Sequence, residues 1–395
     1  MFTLEQDSSE RSWLGVFALS LSAFIFCTTE FLPVGLLKAI SDSLKMQPTN
    51  VGLMLTIYAW TVALVSLPLT ILTRNVERRK LITGIFLVFI GSHIITGGAW
   101  NFPVLILGRI GIACAHAMFW SISLSLTVRI APPEEKSRAI GLLAMGTSIA
   151  MVIGIPLGRV ISEMMGWRIA FLAIALVAAM LLPILRATLP KLQNLQAGSI
   201  QNLIPLLKQP ALILLYVMIV LVITGHFTSY TYIEPFIQLV NQASGSRITY
   251  ILILFGIAGL PAAICFNRLY SDQPRKFLLV SVITVSTCLL ILFPSSLNII
   301  TLSIHVFIWG GAIVCFGLAI QSWILKFATE STDLAVSIHS GLYNVGIGTG
   351  AFLGNHIAND YGLPWIGTFG GVFCGLGSVL CWLAMRIYES KHPTL

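Results

Sequence analysis

Charge is what this sequence has least of. Acidic and basic residues together fill 10% of its 395 positions, against 56% hydrophobic, and the mean hydropathy is +0.91. A soluble domain carries roughly 25% charged residues, so an ordinary soluble fold is excluded. Acidic residues are the scarcer sign, 15 against 23 lysines and arginines, which leaves a formal net charge of +8. That excess does not point to nucleic acid, because the basic residues stand in short segments between apolar runs, where inner-membrane proteins keep them. CxxC spacing is missing too. The seven cysteines (27, 114, 265, 288, 315, 374, 381) lie inside apolar runs with no histidine at ligand spacing, so they read as small buried hydrophobes, with neither disulfides nor a metal site. Neither HExxH nor a nucleophile with a base on a matching face occurs, which argues against an intramembrane enzyme. The rings of like polar groups or repeated filter loop of a channel are likewise missing. So is the ten-residue alternation of a membrane β-barrel.

What is there is a series of apolar runs. A helix crossing roughly 30 Å of hydrocarbon takes about 20 residues, and twelve such runs stand near 13–37, 51–72, 81–99, 102–128, 137–161, 167–187, 210–233, 249–267, 276–293, 298–321, 333–357 and 363–387. The first is too long for a signal-peptide core, lacks a small-residue cleavage site and follows acidic residues, so it is expected to be a retained span. Twelve spans put both termini on one side. Placing them in the cytoplasm gives seventeen basic residues inside and five outside, with Arg109 left within a span. The expected architecture is all-α: an N-terminal six-helix half over 1–187, a polar cytoplasmic loop over 188–209 and a C-terminal six-helix half over 210–395. At an offset of 200 residues Gly141-Leu142, Gly146 and Gly154 match Gly341-Leu342, Gly346 and Gly354, which suggests duplication. Two such halves with a site between them near mid-depth is a transporter architecture.

Polar groups kept at depth are costly, so they are the candidates for function. Glu30 and Arg109 both fall roughly 10 Å below the outer surface, counting 1.5 Å per helical residue, and are expected to pair. His116 follows Arg109 by seven residues and Trp120 follows His116 by four, so the three share one helix face. These residues fit proton coupling: Glu30 and Arg109 as the exchanging pair, His116 as a relay near mid-depth. A static bridge and a hydrogen-bonded packing histidine are the plainer alternatives. His226, Tyr230 and Glu234 repeat the four-residue spacing in the seventh run, with Glu234 expected at the water interface. His93 and His305 have no evident partner and read as structural. Tyr58, Trp120, His226, Tyr230, Gln321 and Asn344 are the candidate substrate contacts, with Trp60, Tyr232 and Trp309 as further aromatic faces. Aromatic platforms with amides suit a neutral hydroxylated ligand, although aromatics also form interfacial belts.

Three stretches together resemble a known family. Leu105-Ile106-Leu107-Gly108-Arg109-Ile110-Gly111 resembles the Arg-containing signature of the major facilitator superfamily. Gly146 through Gly154-Ile155-Pro156-Leu157-Gly158 is similar to the GxxxGPxxGG signature of its drug/proton antiporter branch. CTTEFLPVGLL, residues 27–37, with Tyr58-Ala59 looks like the opening spans of bacterial sugar efflux transporters of the arabinose/isopropyl-thiogalactoside exporter type. The resemblance implies a gating role for Gly146, Gly154, Pro156 and Gly158, whose small side chains and kink let helices close on one another. It also implies a cytoplasmic latch in the basic loop Arg74, Glu77, Arg78 and Arg79, here without the family's usual Asp and glycines. The expected activity is export of sugars or sugar-like compounds by proton antiport. The proton gradient would be the energy source, with no cofactor, no metal and no nucleic acid, in a monomer held in the lipid bilayer of a bacterial inner membrane. Efflux of drugs, nucleosides or amino acids on the same scaffold is the competing expectation.

Overall fold

The computed structural model describes residues 2–73, 75–132, 135–190, 209–327 and 332–391. Among the described residues the long helical segments number twelve. They are α1 (Phe2–Phe31), α2 (Leu53–Leu72), α3 (Arg78–Gly97), α4 (Phe102–Ile130), α5 (Lys136–Ile149, continued by Ile155–Met165) and α6 (Trp167–Thr188). After the central segment come α7 (Pro210–Tyr230), α8 (Gly245–Ile257 and Gly259–Leu269), α9 (Pro274–Leu290), α10 (Ile299–Phe327), α11 (Thr332–Asp360) and α12 (Ile366–Lys391). Ten helices among the described residues are long and apolar enough to cross a membrane. Of the two others, α9 has 17 residues and α11 carries His339, Asn344, Asn355 and Asn359 along its length.

The helix ends follow from local chemistry. Asn101 caps α4 by accepting from the Val104 N–H at 3.0 Å. Glu77 caps α3, accepting from Arg79 N–H at 2.6 Å and Lys80 N–H at 3.2 Å. Prolines open α7 and α9, where a missing N–H costs nothing. Gly166, at φ +90°, makes the turn from α5 into α6, a conformation a side chain would strain.

The chain forms two compact units: Met1–Lys45 with Leu64–Ala197, and Met46–Ala63 with Gly198–Leu395. In the first, α3 packs on α4 and α6, and α1 packs on α5 and α6. In the second, α9 packs on α10 and α12, and α7 packs on α11 and α12. The pairing repeats with each helix number raised by six. The aligned glycines show why. Gly146 abuts the Ser20 backbone of α1 and Gly154 abuts Thr28, while Gly346 abuts Ile223 of α7 and Gly354 abuts Thr228 and Tyr232; nothing crowds Gly141 or Gly341. Any Cβ at those four crowded positions would collide, so close helix approach is the property the two halves share.

Residues 46–63, assigned from sequence to the first half, group with the second unit through polar contacts. Asn50 Oδ1 accepts from the side-chain amides of Asn355 and Asn359, each at 3.2 Å, and Thr49 donates to Asn359 Oδ1 at 2.5 Å. The Tyr232 hydroxyl reaches the Thr49 carbonyl at 3.4 Å, and Trp60 packs on Phe352 at 5.7 Å between ring centroids.

Candidate functional site

The outer end of α1 explains where Arg109 goes. In a continuing helix the Thr29 carbonyl would accept from the N–H of residue 33, and residue 33 is a proline with none to give. The helix accordingly ends at Phe31 and tightens into a 3₁₀ turn, Leu32–Gly35. Arg109, 0% exposed, fills the vacancy from α4: Nη1 donates to the Thr29 carbonyl at 2.8 Å and Nη2 reaches the Glu30 carbonyl at 3.4 Å. Thus Glu30 and Arg109 meet, as their depths predict, but these bonds of the guanidinium run to main-chain oxygens rather than to the carboxylate. The Glu30 carboxylate stands instead 3.7 Å from His116 Nε2, an ion-pair distance too long for a hydrogen bond. Trp120 lies edge-on to His116 at 6.1 Å, and Phe26 stacks on Phe119 at 4.2 Å beside them.

His93, which lacks an evident partner in the sequence, proves to be the support for this arrangement. Its Nδ1 faces the Phe89 carbonyl at 2.8 Å, and a carbonyl can only accept, so Nδ1 carries the proton. The neutral ring then offers Nε2 as acceptor to the Thr29 hydroxyl at 2.8 Å. Thr29 is therefore held twice, through its side chain by α3 and through its carbonyl by Arg109. His93→Phe, which keeps a ring and removes both bonds, should cost about 1–3 kcal/mol in thermal unfolding. Adding Thr29→Val to it should cost little more, and strictly additive losses would show that the two side chains act separately.

The glycines expected to gate lie against this same end of α1. Gly158 abuts Leu32, one turn beyond the Gly154 contact and three beyond that of Gly146, and Pro156 opens the outer piece of α5 just after a π turn, Ala150–Gly154. A π turn inserts a residue into the helical ladder and is a common device at functional positions. Arg159 follows, donating to the Gly35 carbonyl at 3.2 Å and pairing with Glu163 at 3.0 Å. Two arginines thus satisfy the carbonyls around the broken end of α1. In the basic loop, Glu77 acts as the cap of α3, Arg78 and Arg79 begin that helix, and Arg74 lies outside the described residues.

The second unit holds an aromatic cluster. Trp309 Nε1 donates to His226 Nδ1 at 3.1 Å, so the neutral imidazole carries its proton on Nε2, for which no partner stands among the described residues. Tyr230 stacks on His226 at 5.2 Å and on Phe255 at 4.6 Å, and Trp309 meets His226 edge-on at 5.4 Å. Phe255 carried no signal in sequence, because nothing about an isolated Phe in an apolar run marks it. Asn344 is buried; its amide donates to the Ser340 carbonyl at 3.0 Å, and its Oδ1 has no partner among the described residues. Tyr58 is buried in this unit, while Trp120 belongs to the first. Gln321 is exposed, twelve residues and roughly 18 Å along α10 from Trp309, so it does not join the cluster. Glu234, expected at the water interface, is 2% exposed, in the short helix Ile233–Leu239 in which Ile233, Pro235, Phe236 and Ile237 are buried with it.

The family model of the Major Facilitator Superfamily matches residues 19–333. A protein of Mannheimia succiniciproducens named "Probable sugar efflux transporter" is 45% identical over 378 residues, covering 96% of this chain and 95% of that one. One of the same name from Pasteurella multocida is 44% identical over 388 residues, covering 98% and 96%. Among solved structures, a bacterial homolog of the human lysosomal transporter Spinster, inward-facing and unoccupied, superposes with a TM-score of 0.75 at 15% identity, covering 95% of this chain and 97% of that one. The peptide transporter POT superposes at 0.78 with 14% identity, covering 94% of each chain. At those identities the two structures are similar in fold alone.

Proposed function

Because this chain belongs to the major facilitator superfamily, and is thus a multi-pass membrane transporter rather than an enzyme, we propose that it exports sugars or sugar-like compounds by proton antiport with alternating access. The observation that carries the substrate class is the His226 cluster. An N–H donor framed by Tyr230, Phe255 and Trp309 offers a pyranose both a stacking face and a partner for a hydroxyl, and no charged group is needed. The buried Oδ1 of Asn344 supplies an acceptor of the same kind. The names of the two relatives support this reading. Proton coupling is assigned to Glu30, with His116 beside the carboxylate and Arg109 fixing the main chain that carries it. The proton gradient supplies the energy and no cofactor takes part. The excess of basic residues on the loops that share a side with the termini supports a reading in which both ends are cytoplasmic and the membrane is a bacterial inner membrane; the transporting unit in this reading is a monomer.

The test is transport in proteoliposomes against a panel of labelled sugars, purines and cationic dyes. Competition by neutral sugars alone is the expected result; uptake of dyes or purines unaffected by sugar would transfer the assignment to another efflux class. Trp309→Phe keeps the ring and removes the N–H that sets the His226 tautomer. It should raise the KM for sugar about 5- to 10-fold, the worth of one hydrogen bond, with little change in maximal rate.

A further inference from the structure

On the first unit, α1, α5 and α6 leave a groove of about 550 Å³ among them, within the range of ligand sites of about 300–1,000 Å³. Its walls are apolar, including Phe17 and Leu21 of α1, Ile149 and Ile153 of α5, and Leu181 and Ile184 of α6. The one hydroxyl in the wall, Ser20, donates to the Leu142 carbonyl at 2.5 Å and is thereby spent. A sugar would find nothing to bond here. The groove runs along α1 from Leu14 to Phe24, ten residues or roughly 15 Å, which is the depth of one leaflet of a bilayer whose hydrocarbon is about 30 Å thick.

Its mouth is basic. Arg138 is 71% exposed, lies 4.8 Å over the Trp13 ring and pairs with Glu135 at 2.9 Å; Trp13 in turn meets Phe17 of the wall at 6.4 Å. Lys136, exposed, is the first residue of α5. Arg186, also exposed, stands in the last turn of α6, which lies beside the start of the groove: a Cβ on Gly15 would come within 3.2 Å of the Thr188 hydroxyl. Among the described side chains, three cations stand against one carboxylate, with a tryptophan between them and the apolar slot, the arrangement that meets a phosphate group at a membrane interface.

We propose that this groove binds one anionic phospholipid, an acyl chain lying between α1, α5 and α6 and the phosphate held by Arg138, Lys136 and Arg186. Gly146 lines the groove, and Ile149 and Ile153 flank and occupy the π turn Ala150–Gly154, so the occupant bears directly on the segment of α5 that closes against α1. The lipid would thereby tune how readily that helix pair moves, whatever solute is carried.

The full-length protein, reconstituted with phosphatidylglycerol bearing a photoreactive group on its acyl chain, should be labelled within residues 14–24 and 149–153. Ile153→Trp, a filling substitution at a position 50% exposed, should lower the labelling several-fold. Arg138→Gln, which leaves the slot intact, should lower it about five-fold, the worth of one basic residue at an anionic surface. Labelling that ignores both substitutions, or that is equal with the phosphatidylcholine analogue, would overturn the proposal. So would crosslinks joining two copies of the chain across these residues, which would make the groove an interface instead.

Discussion

Arg109→Ala is expected to abolish export and to lower the stability of the protein by about 3–5 kcal/mol, the cost of opening a buried charged site. The loss has two parts. The Thr29 carbonyl, which Pro33 leaves without an intrahelical donor, would again be unpaired, and the Glu30 carbonyl would lose its contact. The carboxylate of Glu30 would also be left without the buried cation that lies at its own main chain. Arg109→Lys should rescue little, because a single ammonium cannot span two carbonyls as a planar fork does. A compensating change separates the two parts. Pro33→Ala restores an N–H to residue 33, so in the Arg109→Ala background it should recover stability, read by thermal unfolding in detergent, without recovering transport. Recovery of both would mean that Arg109 serves only the helix end.

Glu30→Gln is expected to reduce pH-gradient-driven export to the level of a control with no gradient, while exchange of sugar for sugar continues. Glutamine keeps the shape and size of the side chain and cannot take up or release a proton. Burial and a nearby cation act in opposite senses on a carboxyl group, so a carboxylate at such a place can change its protonation with a small rearrangement of its neighbours. The 3.7 Å approach of His116 Nε2 gives one such neighbour, and His116→Gln should shift the pH dependence of export without abolishing it. Full gradient-driven export by Glu30→Gln would leave only a structural role for this residue.

The positions of the helices were legible because length and apolar composition alone place a membrane span. The run 276–293 is found as Pro274–Leu290, and 298–321 as Ile299–Phe327. That Arg109 comes to the Glu30 segment could be anticipated from matched depth, since both are counted from the same surface. Its form could not, because that depends on which carbonyl Pro33 orphans and on the reach of a guanidinium from another helix. His93 was opaque for a related reason: its partner Thr29 lies 64 residues away, and nothing in an apolar run announces such a contact. The π turn in α5 was also hidden, since one inserted residue hardly disturbs hydrophobic periodicity. The distance of Gln321 from the aromatic cluster was hidden as well, because an amide in a span reads alike at its middle and at its end.

The central claim is that sugar leaves in exchange for protons through Glu30. Proteoliposomes holding a pH-sensitive dye and no imposed pH gradient test it most directly. A sugar gradient alone should drive protons in the opposite direction, at a rate that follows sugar flux and vanishes in Glu30→Gln. Sugar moving at full rate with no counterflow of protons would contradict the account.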